Sequence, residues 1–317
     1  MRIVVHGAGG IGGVIAARLF QSGHDVVAIA RGTHLDAWRA HGLRLQTPDE
    51  DVVLPVPVAG DPDEAGVGDD DVVLLAMKGQ DTVAAVADLP PGTPIVCVQN
   101  GVANEREALR RFEQVYAVCV MFPTTFIEPG VVQAQSAPIS GLLDIGRYPH
   151  GTDDVAEAVS AAFRASTFES IVRPDIMRWK YRKLLMNLGN AVQAVCRPGG
   201  TRPIVARLQD EGVAALAAAG IDVASEEEDR ERRGDLLTVR PVLGGGERGG
   251  GSSWQSLARG TGAVETDHLN GEIVLLGRLH GVPTPANALL QRLANQAARE
   301  RRPPGSMTAD EVLSLLA

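Results

Sequence analysis

The sequence predicts an α/β chain: a doubly wound parallel sheet followed by an all-helical C-terminal domain. Three observations carry that prediction. Short apolar runs rich in β-branched residues recur through the first half, at 2–6 (RIVVH), 26–30 (VVAIA), 72–77 (VVLLAM), 95–99 (IVCVQ) and 115–121 (VYAVCVM). Segments with helical periodicity lie between most of them, at 33–41, 80–89 and 103–111. After Pro174 the texture changes to long helical stretches with no convincing strand. Near-continuous apolar strands alternating with helices are what a parallel sheet covered on both faces requires.

Taken in order, the first strand runs into a glycine cluster, and the helical pattern IAARLFQSGH follows at 15–24. An acidic loop, Asp69–Asp71, precedes the third strand. The segments VVLPVPV (52–58) and VVQAQ (131–135) read as antiparallel additions. The helical half reads as 175–195, 201–219, roughly 252–280 and 285–300. That places a boundary near Arg173, with a dinucleotide-binding domain at 1–173 and a helical domain at 174–317. The charge run EEEDRER (226–232) reads as a solvated helix end, and GGGERGGG (244–251) as a linker or a mobile loop. No repeat of solenoid period is present.

Composition excludes several classes. The 317 residues are 44% hydrophobic and 22% charged, ordinary for a soluble globular protein with room for a sizeable core. A net charge of −9, from 39 acidic and 30 basic residues, argues against nucleic acid or an anionic membrane as partner. Cys97, Cys119 and Cys196 sit in apolar runs without metal spacing, as buried thiols of a reducing compartment do. The histidines show no metal-ligand spacing either, so no metal site is expected. MRIVVHGAGG has no signal-peptide layout, and no apolar run approaches the 18 residues of a membrane span, so a cytoplasmic location is expected.

Gly7-Ala8-Gly9-Gly10-Ile11-Gly12 fits G-x-G-x-x-G. The pattern alone is weak in a chain with 36 glycines. Its context strengthens it, because it follows a strand directly and opens a helix. Gly7 would allow the tight turn, Gly9 would let a pyrophosphate approach the backbone, and Gly12 would let the helix lie close on the strand. A plain strand–helix turn needs only one glycine, so a Rossmann-type cofactor site is the better reading. At the end of the second strand, where an acid would bind a ribose 2′-hydroxyl, the chain reads Ala30-Arg31-Gly32-Thr33. Arg31 suits a 2′-phosphate, which favours NADP over NAD and demotes FAD. Lys78 and Asn100 follow the third and fourth strands, at the same sheet edge as the glycine loop. Each alone could be turn chemistry, but together they suggest one crevice.

The stretch IMRWKYRKLLMNLGNA (176–191) poses a question. As a helix it aligns Lys180, Lys183, Asn187 and Asn190 within about 80° of arc, on an element otherwise apolar nearly all round. The polar stripe is either solvent-facing or an active-site wall.

In these motifs the chain resembles the ketopantoate reductase (2-dehydropantoate 2-reductase) family nearly end to end. The resemblance rests on GAGGIGG, Arg31, the MK of LLAMKGQ, QNG at 99–101, WKYRKLLMN, and SSWQSLARGTGAVETDHLNGEI late in the chain. It implies reduction of a 2-keto acid to the 2-hydroxy acid with NADPH, in a cleft between a Rossmann domain and a helical domain. It further implies Lys183 as general acid, with Glu265 as the other catalytic residue. Asn187, Ser253 and Asn100 would contact substrate. Asn100 would also lie near the nicotinamide, and Lys78 on the cofactor side.

The chemistry agrees: hydride addition builds negative charge on the carbonyl oxygen, so a proton donor and hydrogen-bond donors must surround it. Glu265 would keep Lys183 charged, and a buried lysine is a readier acid. Three departures from the family pattern fall around the substrate: Asn190 follows Asn187 by three residues rather than four, CRPGG stands at 196–200, and GGGERGGG precedes Ser252. Lys180 has no family counterpart and reads as a lysine snorkelling from a core helix. A related dehydrogenase acting on another hydroxy acid, or a non-catalytic NADP-binding redox sensor, are the alternative readings. A homodimer is the expected assembly.

Overall fold

The computed structural model describes residues 1–245 and 249–316. The chain forms two compact units: Met1–Lys180 with Glu226–Arg248, and Tyr181–Ser225 with Gly249–Ala317.

Among the described residues, the first unit holds twelve strands: β1 (Ile3–His6), β2 (Val26–Ile29), β3 (Leu43–Gln46), β4 (Asp51–Leu54), β5 (Val58–Ala59), β6 (Val72–Leu75), β7 (Ile95–Cys97), β8 (Val115–Met121), β9 (Thr124–Thr125), β10 (Val131–Ala134), β11 (Gly141–Arg147) and β12 (Phe168–Glu169). Eight of them form one sheet in the order β12-β11-β8-β7-β6-β1-β2-β5. Every neighbouring pair is parallel except β8 with β11. A smaller sheet, β4-β3-β10-β9, lies beside it.

Why the runs read as strands is visible in their burial. All four residues of β1 and of β6 are buried. Ile3, Val5, Val72 and Leu74 belong to one core and Val4, Val73 and Leu75 to another, so alternate residues feed opposite faces. The helices Gly10–Gln21 and Asp154–Ala165 cover the first core. Val86, Leu89, Ala108 and Phe112 close the second. The strand order reverses across β1 and β6, and in open α/β sheets that is where ligands bind.

Residues 52–58 depart from the expected antiparallel run. Pro55 and Pro57 split it, leaving β4 antiparallel to β3 while β5 joins the large sheet parallel to β2. The 131–135 run forms β10, which is antiparallel to β9 but parallel to β3.

The second unit is helical, with Arg202–Ala218, Asn270–His280 and Pro285–Arg299 as its longest wholly enclosed helices. The expected stretch at 252–280 divides into Ser252–Ala258, a 3₁₀ turn Glu265–His268 and Asn270–His280. Gly260 and Gly262 separate the pieces at φ +63° and +76°, conformations that glycine adopts readily. Asn270 is a latch within the unit. It donates to the Leu188 carbonyl (3.2 Å) and to Asn287 (3.0 Å), whose own amide donates to the Leu208 carbonyl and to Glu211.

The chain divides at Lys180, seven residues beyond the expected boundary near Arg173, and 226–248 rejoins the first unit. Side chains explain both facts. Arg173 lies 3.7 Å over the Trp179 ring and pairs with Asp144 at 2.7 Å, which docks the start of the helix Ile176–Asn187. The charge run forms the helix Glu226–Arg233, and its Arg232 grips the buried Asp144 at 2.6 and 2.8 Å. Residues 239–243 then run along the small sheet, with Arg240 N–H on Gln135 and Leu243 N–H on Thr47. Of the glycine-rich stretch, residues 246–248 lie outside the described residues. No helix among the described residues is long and apolar enough to cross a membrane.

Candidate active site

The first turn of interest follows β1. Gly7 has φ +99°, and its amide donates to the Ile29 carbonyl at 3.1 Å, which folds the chain sharply over the β2 end. A side chain at Gly7 would strike the backbone of Ala76 and Met77. One at Gly12 would strike the Gly7 carbonyl and the Ala76 side chain. At Gly9 the situation reverses: the nearest atom to a Cβ there would be the Phe126 ring, at 4.0 Å. Gly9 is also the N-cap of the helix Gly10–Gln21, with no side chain to cap the first-turn amides. Closed packing at two glycines and open space at the third leave bare backbone at the positive end of a helix, where an anion could be held. That shape fits a dinucleotide pyrophosphate. Ala8, Gly10 and Ile11 complete the loop, and a Cβ at Gly10 would press on the Thr124 hydroxyl.

His34 holds this loop. Its Nδ1 accepts the Gly130 amide at 2.8 Å, so the proton sits on Nε2, which donates to the Ala8 carbonyl at 2.8 Å. The ring packs on Phe126 and Trp38, and burial pushes its pKa down, only partly opposed by the Ala8 bond. Beneath the loop, His6 ends β1, and burial followed by the charge of Arg31 lowers its pKa to about 4. Arg31 itself is exposed, just past β2 at the N-cap of the helix Gly32–His41.

Two further turns sit at the neighbouring strand ends. Lys78 is half-buried and caps the short 3₁₀ turn Gly79–Asp81 after β6. Asn100 is half-buried after β7, and Gly101 beyond it has φ +82°. A buried chain of hydrogen bonds anchors the second turn. Gln99 donates to Thr82 (2.8 Å), Thr82 to Asn104 (2.9 Å), and Asn104 to the Asn100 carbonyl (3.0 Å). Lys180 donates to the Gln99 carbonyl at 3.0 Å and pairs with Glu105.

The helical unit carries the remaining expected residues. Lys183 is half-buried and Asn187 buried, both on the helix Ile176–Asn187. Ser253 is buried in the first turn of the helix Ser252–Ala258, and among the described residues its hydroxyl has no hydrogen-bond partner, nor has that of Ser252. A Cβ at Gly251, the cap of that helix, would lie 3.0 Å from the side-chain oxygens of both Asn190 and Gln193. The structure therefore brings Asn190 beside the Ser252–Ser253 turn. Glu265 is buried at the start of its 3₁₀ turn.

Sequence reasoning missed His34, the Glu105 partner of Lys180, and Arg259. Arg259 follows the helix Ser252–Ala258, and burial pushes its guanidinium pKa down. Among the described residues, no group of three or more His, Cys, Asp or Glu stands where it could hold a metal ion.

Comparison with known proteins joins both units in one family. Residues 3–150 match the family model described as ketopantoate reductase PanE/ApbA, and residues 175–298 match the model of its C-terminal part. A 2-dehydropantoate 2-reductase of Halobacterium salinarum is 30% identical, over 95% of this chain and 100% of that protein. The crystal structure of a PanE/ApbA family ketopantoate reductase from Ralstonia eutropha JMP134 superposes with a TM-score of 0.77 at 28% identity, covering 95% of this chain and 100% of that one. D-mandelate dehydrogenase, in a ternary structure with NADH and anilino(oxo)acetate, gives 0.80 at 21% identity, covering 95% and 99% of the two chains, a likeness of fold.

Proposed function

The chain belongs to the ketopantoate reductase family, and on that premise we propose that it reduces the ketone of a 2-keto acid to the 2-hydroxy acid, with NADPH as reductant and ketopantoate as the first substrate to test. The observation that carries the reading is the set of turns at adjacent strand ends: the open Gly9 cradle after β1, Lys78 after β6 and Asn100 after β7. Bound there, the cofactor supplies the hydride. Gly7, Gly9 and Gly12 shape the pyrophosphate seat, with Ala8, Gly10 and Ile11 as its backbone wall. Lys78 adds positive charge on the cofactor side, and Asn100 holds the nicotinamide end. Arg31, exposed at the β2 end with no acid beside it in sequence, supports a 2′-phosphate and hence NADPH over NADH.

In the helical unit, Lys183 gives its Nζ proton to the carbonyl oxygen as negative charge develops there, a contribution typically worth roughly 10²–10⁴ in rate. Glu265 keeps Lys183 protonated and oriented. Asn187 donates to substrate oxygens, and Ser253 to the substrate carboxylate. A buried hydroxyl with no partner among the described residues costs free energy unless something accepts from it, which supports that role for Ser253. Working as a cytoplasmic homodimer completes the reading.

The test follows NADPH absorbance with purified protein and a panel of 2-keto acids including ketopantoate, with NADH in parallel. Oxidation with ketopantoate and NADPH is the expected result, and oxidation with another 2-keto acid keeps the mechanism and moves the substrate. Tight NADPH binding with no turnover on any acid favours a redox sensor, and no NADPH binding overturns the reading. Lys183→Ala should abolish turnover while NADPH affinity stays nearly intact, and surviving activity would remove Lys183 from the acid's role.

A further inference from the structure

Lys180 is 3% exposed and Glu105 0% exposed, and the two form an ion pair inside the first unit. The pair spans 75 residues of sequence and lies off the residues assigned above to acid chemistry. Burying both charges carries a large desolvation penalty, and a well-packed apolar pair of similar volume commonly stabilises a fold as well or better. Stability alone is therefore a weak reason for the pair, and its location offers a stronger one.

The Lys180 ammonium is shared between Glu105 and the carbonyl oxygen of Gln99, the residue directly before Asn100. A trans peptide is planar, so holding the Gln99 carbonyl on the Lys180 side aims the Asn100 N–H the opposite way. The next peptide is held similarly, because Asn104 grips the Asn100 carbonyl and thereby aims the Gly101 N–H. Asn104 is itself oriented through Thr82 by Gln99. Two consecutive peptide planes of the turn are thus set by buried side chains, and Glu105 follows Asn104 at the start of the helix Asn104–Leu109. The amide directions in the chain are mutually consistent, each oxygen receiving a hydrogen from the group before it.

We propose that the Lys180–Glu105 pair is the positioning device of the Gln99–Asn100–Gly101 turn, fixing its peptide planes so that Asn100 presents the nicotinamide in register for hydride transfer. Lys180 and Glu105 act through Asn100 and are positioning residues. The inference rests on the reading that the nicotinamide lies at Asn100.

Removing one partner leaves a buried unpaired charge and can unfold the chain, so the decisive variant removes both: Lys180→Met with Glu105→Leu. Thermal unfolding, kcat, and KM for NADPH are measured on the wild type, on each single variant and on the pair. The expected result is that the double variant regains the stability lost by the singles, while kcat stays about 100-fold below wild type, as a misplacement near 1 Å produces. KM for NADPH should change far less than kcat, because the phosphate cradle is untouched. A double variant that recovers kcat along with stability overturns the proposal and leaves the pair a structural one. A wild type that oxidises NADPH with no 2-keto acid instead defeats the underlying functional reading, and this proposal with it.

Discussion

The imidazole of His34 donates its Nε2 proton to the carbonyl oxygen of Ala8 across 2.8 Å, while its other nitrogen is occupied by the Gly130 amide. One neutral ring thus ties the middle of the glycine loop to the turn that opens β10. Replacement by leucine removes the tether and leaves the Gly130 N–H without its acceptor. The expected cost in unfolding free energy is about 1–3 kcal/mol, the usual price of a stranded buried amide. The loop would also lose its support, so KM for NADPH should rise while kcat at saturation stays close to wild type. Urea unfolding with steady-state kinetics checks both. A drop in kcat with KM unchanged would show that His34 does not act through the cofactor loop.

How much of this was legible depends on sequence distance. The glycine loop, Arg31, Lys78 and Asn100 are each readable because a strand, a turn residue and the chemistry lie within a few positions of one another. His34 is different, since its partners lie 26 and 96 residues away. Lys180 read as a snorkelling lysine because Glu105, 75 residues earlier, is invisible to helical periodicity. Strands long enough to be buried on both faces announced themselves, as β8 does with all seven residues buried. The two-residue strands β5, β9 and β12 exist only through the neighbours that pair with them. Asn270 lies inside a motif that signals the family, yet its observed bonds tie helices together.

The glycines of the loop should separate folding from binding. Gly9 has φ −73°, and a Cβ there meets nothing nearer than 4.0 Å, so Gly9→Ala should fold with unchanged or slightly higher melting temperature. Its new methyl group would stand where a phosphate must approach, and NADPH affinity should fall at least tenfold. Gly12→Ala drives a methyl into the Gly7 carbonyl and the Ala76 side chain, so destabilisation is expected first. Calorimetry on both variants decides. If Gly9→Ala binds NADPH as wild type does, the pyrophosphate does not sit over Gly9.

Arg31 is exposed, and its removal should leave stability within about 0.5 kcal/mol of wild type. Its effect should appear in the ratio of the two cofactors. A hydrogen bond to a charged group is worth roughly 1.5–3 kcal/mol, so Arg31→Ala should weaken NADPH by about 10- to 100-fold and NADH hardly at all. Competition binding with NADP and NAD reads the ratio directly. Equal weakening of both would move the 2′-phosphate contact away from Arg31.

The two buried histidines set an acid limit on the fold. His6 carries a pKa of about 4 in place of 6.5, chiefly because burial disfavours its charged form and secondarily because of Arg31, and burial lowers His34 as well. In the unfolded chain each binds a proton near pH 6.5, whereas the folded chain holds them neutral to lower pH. Between those values the unfolded state carries more protons, so stability rises with pH across the window and is lost as pH falls from about 6.5 towards 4. The contribution of His6 at neutral pH, relative to acid, is about 3 kcal/mol at most. His6→Leu removes one of the titrating groups, so the slope of unfolding free energy against pH should flatten by about one proton between pH 4 and 6.5. Urea titrations at half-unit steps measure it, and a slope unchanged in the variant would mean that His6 does not titrate in that window.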